Sequence, residues 1–271
     1  MGRIYYMNIN EIIGDALRYP LSDWKKILIL GFIILVGSIF YLIFHIISNT
    51  INNVTILIFL IWFIILFFIF GYHYRIINFT MNGNAELPKF NSWKVMFIEG
   101  IKYYIVHLVY LIPALLLLSV YPLYFLALIR DPAPLTFIPY LEDFIRIIIS
   151  GTNFASYFWL WVSILIMSLY LFIITPILYM GLANMIKNNG KLRNALSFRL
   201  IFNKITKNGL KPLITWYLAI IIPFSIIYLI SLNLYIWHIY QSLVFVLVQL
   251  IGVSYLTIYS NRLVALFYLS K

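Results

Sequence analysis

The chain has no cysteine and only eight acidic residues among 271. The first absence removes disulfides, thiolate metal sites and cysteine nucleophiles together. The second leaves no Asp or Glu inside any long apolar run, which counts against a carboxylate-coupled ion or proton transporter. Charged residues of both signs make up 10% of the chain, against about a quarter in a soluble domain. No glycine-rich phosphate loop, zinc-protease helix or nucleophile elbow is present. Glu142 and Asp143 are adjacent, so on a helix they diverge by about 100° and form a solvated face, not an acid/base pair. The expectation is a non-enzymatic protein with no cofactor.

What the chain has in abundance is apolar surface: 64% of its residues are hydrophobic and the mean hydropathy is +0.99. Lipid must be the solvent for most of it, and in lipid only helices or a closed barrel satisfy the backbone. The apolar runs are about twice as long as barrel strands and do not alternate, so helices are predicted. The fold class is therefore all-α, a polytopic membrane bundle of six transmembrane helices in three hairpins with amphipathic interfacial helices. It forms a single membrane domain over 1–271.

The spans are read as Ile27–Ile47, Val54–Tyr74, Ile101–Ile129, Phe154–Met180, Pro212–Leu232, and a last run from near Ile236 that ends before Asn261-Arg262. A short apolar tail follows. Residues 8–19 precede the first span as a surface helix. Ile9, Ile12, Ile13, Ala16 and Leu17 recur at helical spacing on one face, Asn8 caps the helix with Glu11 three residues on, and Tyr19-Pro20 ends it. It is expected to lie flat on the membrane. Gly31 and Gly37 are places for close helix contact, and Tyr140–Ser150 is a second interfacial helix.

Charge then predicts orientation. With the amino terminus inside, seventeen of the nineteen Lys and Arg residues fall on inner segments, leaving Arg130 and Arg146 outside. That bias predicts a cell-membrane protein with both termini cytoplasmic. The inner segment 181–211 carries Lys187, Lys191, Arg193, Arg199, Lys204, Lys207 and Lys211 with no acid. Leu192, Ala195, Leu196, Phe202 and Ile205 add an apolar stripe. Basic residues beside an apolar stripe point to an anionic leaflet ahead of nucleic acid. The seven are the candidate lipid or partner contacts. Membrane lipids are the expected partners, with a protein partner or a second copy beside them, and no nucleic acid.

A rival reading is a small-solute transporter or channel. Pro113 and Pro223 lie in comparable halves of the third and fifth spans, and broken helices can offer carbonyls to a solute. His107, Pro113 and Pro223 are the candidate kink or cavity residues; the bland reading is a proline kink that neighbouring side chains satisfy. His45 and His238 fall near the outer face while His73 and His107 fall near the inner one, so a four-histidine metal site is geometrically poor.

Weak internal echoes suggest repeat units over 8–75, 86–180 and 190–262. Tyr19-Pro20 through Trp24-Lys25 matches Leu87-Pro88 through Trp93-Lys94, and Tyr72-His73-Tyr74-Arg75 matches Tyr259-Ser260-Asn261-Arg262. Several polar stretches also carry a family likeness: Asp15 to Pro20 with Asp23-Trp24-Lys25-Lys26, Gly71 to Arg75, Glu86-Leu87-Pro88 with Trp93, and Gly100-Ile101-Lys102 followed by Tyr110 to Pro113. On these residues the chain resembles the archaeal membrane family catalogued as domain of unknown function 4013. Where that pattern shows acids near the central tryptophan, this chain has Asn91-Ser92. The resemblance implies a multi-pass archaeal membrane protein and brings no catalytic residue with it.

Overall fold

Capping chemistry sets the start of the first helix. The Asn8 side-chain oxygen accepts from the Glu11 N–H, and the Glu11 carboxylate accepts from the Asn8 N–H, both at 2.9 Å. This reciprocal box satisfies two of the donors that a helix start leaves open, and α1 (Ile9–Arg18) follows it. The structure is a computed structural model and describes residues 7–47, 53–119, 161–162, 165–166, 168–236 and 243–270. A short 3-10 turn, Pro20–Ser22, leads to α2 (Trp24–Ile47), then α3 (Asn53–Met81) and α4 (Trp93–Ser119). Later come α5 (Thr175–Lys187), α6 (Leu192–Ala195), α7 (Phe198–Asn208), α8 (Leu210–Ile236), α9 (Leu243–Leu247) and α10 (Ser254–Leu269).

Among the described residues, five helices are long and apolar enough to cross a membrane: Trp24–Ile47, Asn53–Met81, Trp93–Pro113, Leu210–Ser231 and Val244–Leu269; Phe172–Lys187 is a shorter apolar helix. Their burial is inside-out. Phe32, Ile46, Leu60 and Leu229 are exposed, whereas Arg75, Asn184, Asn261 and Arg262 are buried. Water would not leave that arrangement stable, and hydrocarbon would, because only there do apolar side chains face their preferred solvent. The far part of the third span with Pro122, the segment around Arg130, the interfacial helix Tyr140–Ser150, the start of the run from Phe154, and His238 all lie outside the described residues.

Three sequence expectations are corrected. The second span does not close at Tyr74 and Arg75; α3 continues to Met81. Nor does the last span stop before Asn261-Arg262: α10 runs through both to Leu269, and the supposed tail from Leu263 to Leu269 is buried throughout. Hydropathy treats a charged residue as an exit, but here internal partners receive each arginine. Most of the apolar face of α1 is also not given to the membrane, although Leu17 stays exposed. Ile12 and Ala16 are buried, and Ile9 and Ile13 pack against the same core, because α8 and α10 offer that face a protein surface.

Close backbone approach sets the α3–α4 contact. A Cβ added at Gly100 would fall on the Phe67 carbonyl oxygen, and one added at Gly71 on that of Met96. With no side chain at these points, two membrane helices come close enough for dense packing. Gly31 likewise receives the backbone of Leu250, which belongs to a π-helical stretch, Val248–Val253. A second π-helical turn, Tyr170–Ile174, precedes α5 and Pro176. In each case a hydroxyl also donates to a carbonyl of the wide turn, and the Tyr170 carbonyl accepts from the Thr175 N–H as well. Ser254 Oγ donates to the Leu250 oxygen at 2.6 Å, and Thr175 Oγ1 to the Tyr170 oxygen at 3.1 Å.

Candidate functional site

The polar side chains gather at one end of the bundle, where α3 ends, α4 begins, and α5 and α10 end. Two arginines organise it in the same way. Arg75 pairs through Nε with Glu99 Oε2 at 3.0 Å, while its terminal nitrogens donate to the carbonyls of Lys89, Asn91 and Ser92. Arg262 pairs through Nε with Asp15 Oδ2 at 2.9 Å. Its Nη1 donates to Thr80 Oγ1 at 3.2 Å and to the Asn84 carbonyl at 2.8 Å, and its guanidinium lies 4.3 Å from the centre of the Tyr19 ring. A rigid five-donor fork suits this work, which a single ammonium cannot reproduce.

Between them the arginines and their neighbours hold the connector 82–92. Tyr19 Oη donates to the Glu86 carbonyl at 2.8 Å, Lys26 Nζ to that of Leu87 at 2.7 Å, and Tyr72 Oη to that of Pro88 at 3.2 Å. A loop without regular structure thus has its carbonyls satisfied one by one from the helices. Burial pushes the Tyr19 phenol up to about 12, with Arg262 opposing the shift and Asp15 adding to it. A cavity of about 270 Å³ sits beside Arg75, Glu86, Lys89 and Glu99. Since Arg75 spends its donors on the connector, Arg75→Lys is expected to loosen that loop and leave the spans in place. Limited proteolysis between Asn82 and Ser92 should then accelerate about tenfold, the equivalent of losing one charge-assisted hydrogen bond. An unchanged rate would contradict the clamp.

The candidate lipid-contact residues lie along α5 to α8. Lys187, Lys191, Arg193, Arg199, Lys207 and Lys211 are exposed, and Lys204 is half-buried. Among the described residues, no carboxylate pairs with those six exposed cations, since the ion pairs there engage Lys26, Arg75 and Arg262. The expected apolar stripe divides in two. Ala195 is buried and Ile205 half-buried, while Leu192, Leu196, Phe198, Leu200 and Phe202 are exposed beside the basic residues. The inner half ties the segment to the bundle. Tyr110 Oη donates to the Ala195 carbonyl at 2.7 Å, Asn184 Nδ2 to the Asn194 carbonyl at 2.7 Å, and Asn208 Nδ2 to the Phe267 carbonyl at 3.2 Å.

Of the seven, Lys187 and Lys204 are brought together. Their Nζ atoms lie 5.5 and 5.6 Å from the centre of the Tyr268 ring. Burial pulls the Lys204 ammonium below the ordinary lysine range, and repulsion from Lys187 and Lys207 adds to it. Tyr268 was not a sequence candidate. The tyrosine-to-arginine echo at Tyr72–Arg75 and Tyr259–Arg262 was the available pointer to the arginine clamps, and nothing in the pattern pointed to their acidic partners.

His107, Pro113 and Pro223 are not assembled into a site. His107 is half-buried between Phe70 and Tyr103, with Nδ1 3.0 Å from the Tyr103 carbonyl. Pro113 is exposed within α4, and Pro223 is half-buried within α8. The cavity beside Arg75 and another of about 180 Å³ between α2 and α3 are lined by other residues. His73 sits against Phe70 and Tyr103, and its Nε2 has no hydrogen-bond partner among the described residues. No group of three His, Asp or Glu suited to a metal ion occurs among the described residues.

Long helices with apolar residues outward and hydrogen-bonded polar residues inward define a helical integral membrane protein. The chain belongs to the family described as Protein of unknown function (DUF4013), whose model matches residues 54–236. The match takes in α3, α4, the basic segment and α8, and stops short of both Asp15 and Arg262. No curated protein and no solved structure matches the chain.

Proposed function

We propose that this is a non-enzymatic membrane protein whose basic segment, on the cytoplasmic side, binds the anionic surface of the leaflet in which the bundle sits. The observation that carries the reading is the 187–211 surface itself, where exposed cations with no carboxylate partner among the described residues alternate with exposed Leu and Phe side chains. Each Lys or Arg near an anionic leaflet is worth about 1 kcal/mol, and the attraction decays within a Debye length of about 8 Å at physiological salt. Exposed Leu200 and Phe202 supply the apolar contact that charge alone lacks. The excess of basic residues on inner segments supports the cytoplasmic orientation and the placement of both termini inside. An archaeal cell membrane is the setting implied by the likeness in the polar connectors.

Because the chain has no cysteine, one introduced thiol reports without background. A Leu200→Cys protein carrying a fluorophore should be shielded from an aqueous quencher in anionic lipid discs and accessible in neutral ones. Raising salt to about 1 M, where the Debye length falls to about 3 Å, should expose it, as should changing the seven basic residues to Gln. Equal quenching in anionic and neutral discs would refute the proposal.

A further inference from the structure

Three asparagines stand directly before a glycine, Asn82, Asn189 and Asn208, and the three pairs lie at the ends of α3, α5 and α7. We propose that the fold makes Asn82, alone of the three, a site of spontaneous deamidation, and that its conversion to isoaspartate loosens the connector from Arg262.

Glycine has no side chain to shield its nitrogen, which is what makes the dipeptide reactive. The Gly83 nitrogen attacks the side-chain carbonyl carbon of Asn82. The new N–Cγ bond replaces the Cγ–Nδ2 bond, and ammonia leaves with the proton that the glycine nitrogen has lost. Water then opens the cyclic imide. Entry at Cγ gives aspartate; entry at the backbone carbonyl, the more frequent course, gives isoaspartate, in which the chain runs through the side chain and gains one methylene. Water is the only other reactant.

The three sites differ in what must be undone before the attack. Asn82 and Gly83 are both exposed, and a Cβ at Gly83 would meet nothing within 4 Å, so the imide ring has room. The Gly83 N–H donates to the Thr80 carbonyl at 3.0 Å and Asn82 Nδ2 to Asn78 Oδ1 at 3.3 Å; at this exposed turn water can partner both donors when the turn opens. At Asn189 the side chain is exposed but the attacking nitrogen is not. Gly190 is buried, its N–H donates to the Met185 carbonyl at 2.9 Å, and Tyr74 Oη lies 2.6 Å from where its Cβ would be. At Asn208 the group under attack is held. Its Nδ2 donates to the Phe267 carbonyl at 3.2 Å, and its Oδ1 is buried, so the charge that gathers on that oxygen finds no water.

The consequence at Asn82 follows from the cap of α3. Gly83 takes a φ of +80°, and the Asn84 N–H reaches back to the Phe79 carbonyl at 3.1 Å, the pairing that a left-handed residue after a helix permits. One added methylene between residues 82 and 83 breaks that spacing. It also shifts the Asn84 carbonyl, which accepts from Arg262 Nη1 at 2.8 Å.

The test ages the full chain in lipid discs in heavy-oxygen water and maps its peptides by mass spectrometry. The Asn82 peptide should gain one solvent oxygen, mostly as isoaspartate, at least about tenfold faster than the Asn189 and Asn208 peptides, the worth of one buried hydrogen bond. In the denatured chain the three rates should converge. Equal rates in the folded protein, or a faster reaction at either other site, overturn the assignment; so does a difference that survives denaturation, which would belong to the local sequence and not to the fold. Tryptic cleavage after Lys89, away from the altered bond, reads the connector. It should accelerate about tenfold in converted molecules, as for the loss of one charge-assisted hydrogen bond. It should stay at its initial rate in aged Asn82→Gln protein, whose longer side chain closes the imide far more slowly. Full conversion with unchanged cleavage overturns the loosening.

Discussion

Arg262→Gln is expected to release the amino-terminal helix from the bundle and to destabilise the protein by about 3 kcal/mol, the low end for breaking a buried ion pair. Arg262 is 6% exposed, and it is the group that joins α1, α3 and the connector to α10. Removing it strands the Asn84 carbonyl and the Thr80 hydroxyl and takes the cation from the Tyr19 ring. The loss is asymmetric across the pair. The Asp15 side chain is 40% exposed, so water can take over the carboxylate's role, and Asp15→Asn should cost less than about 1 kcal/mol. Arg262→Lys should fall between, since an ammonium keeps the charge and loses the fork. Thermal unfolding in discs checks the order, with a protease cut between Tyr19 and Ser22 reporting release of α1. Equal effects of the Arg262 and Asp15 changes would show that the ion pair, and not the set of carbonyl contacts, is what counts.

Gly100→Ala is expected to be as damaging, although it adds one methyl group. That methyl would occupy the position of the Phe67 carbonyl oxygen and lie 2.9 Å from the Gly71 nitrogen. Neither neighbour is the movable end of a side chain, so the helices themselves must separate. The cost should be at least about 3 kcal/mol, the upper part of the overpacking range, and should appear as lost monodisperse protein and a lower unfolding temperature. Two other glycines calibrate the result. At Gly37 the new methyl would meet two movable side-chain ends, Ile65 Cγ2 at 3.2 Å and Ile69 Cδ1 at 3.9 Å, so Gly37→Ala should cost less than about 1 kcal/mol. Gly14 has nothing within 4 Å, and Gly14→Ala in α1 should stabilise by up to about 1 kcal/mol through helix propensity. A tolerated alanine at Gly100 would contradict the α3–α4 packing.

Much of this was legible in the sequence because it depends on neighbours in the chain. The Asn8–Glu11 box is a three-residue relation, and it stands as read. The basic segment was visible as a run, as were the long apolar helices. What escaped was every feature whose partner is remote. Asp15 and Arg262 are 247 residues apart, and no local pattern joins them. Without Asp15 and the Asn84 carbonyl, Arg262 reads as the end of a span, and so Leu263–Leu269 reads as a tail. The candidate site shows the same division: Lys187 and Lys204 were named for their charge, but their meeting beside Tyr268 depends on how α5, α7 and α10 pack.

By itself, then, the sequence determined the solvent and the class of structure. A chain this apolar must face hydrocarbon, and hydrocarbon admits helices long enough to cross it. It also determined which segments are too charged to enter. The tertiary structure decided which polar groups are nonetheless inside, how far α3 and α10 extend, and which face of α1 meets protein. The physical reason is that the cost of burying a charge or a carbonyl depends on the partner it meets. That partner becomes identifiable only when distant parts of the chain are brought into contact.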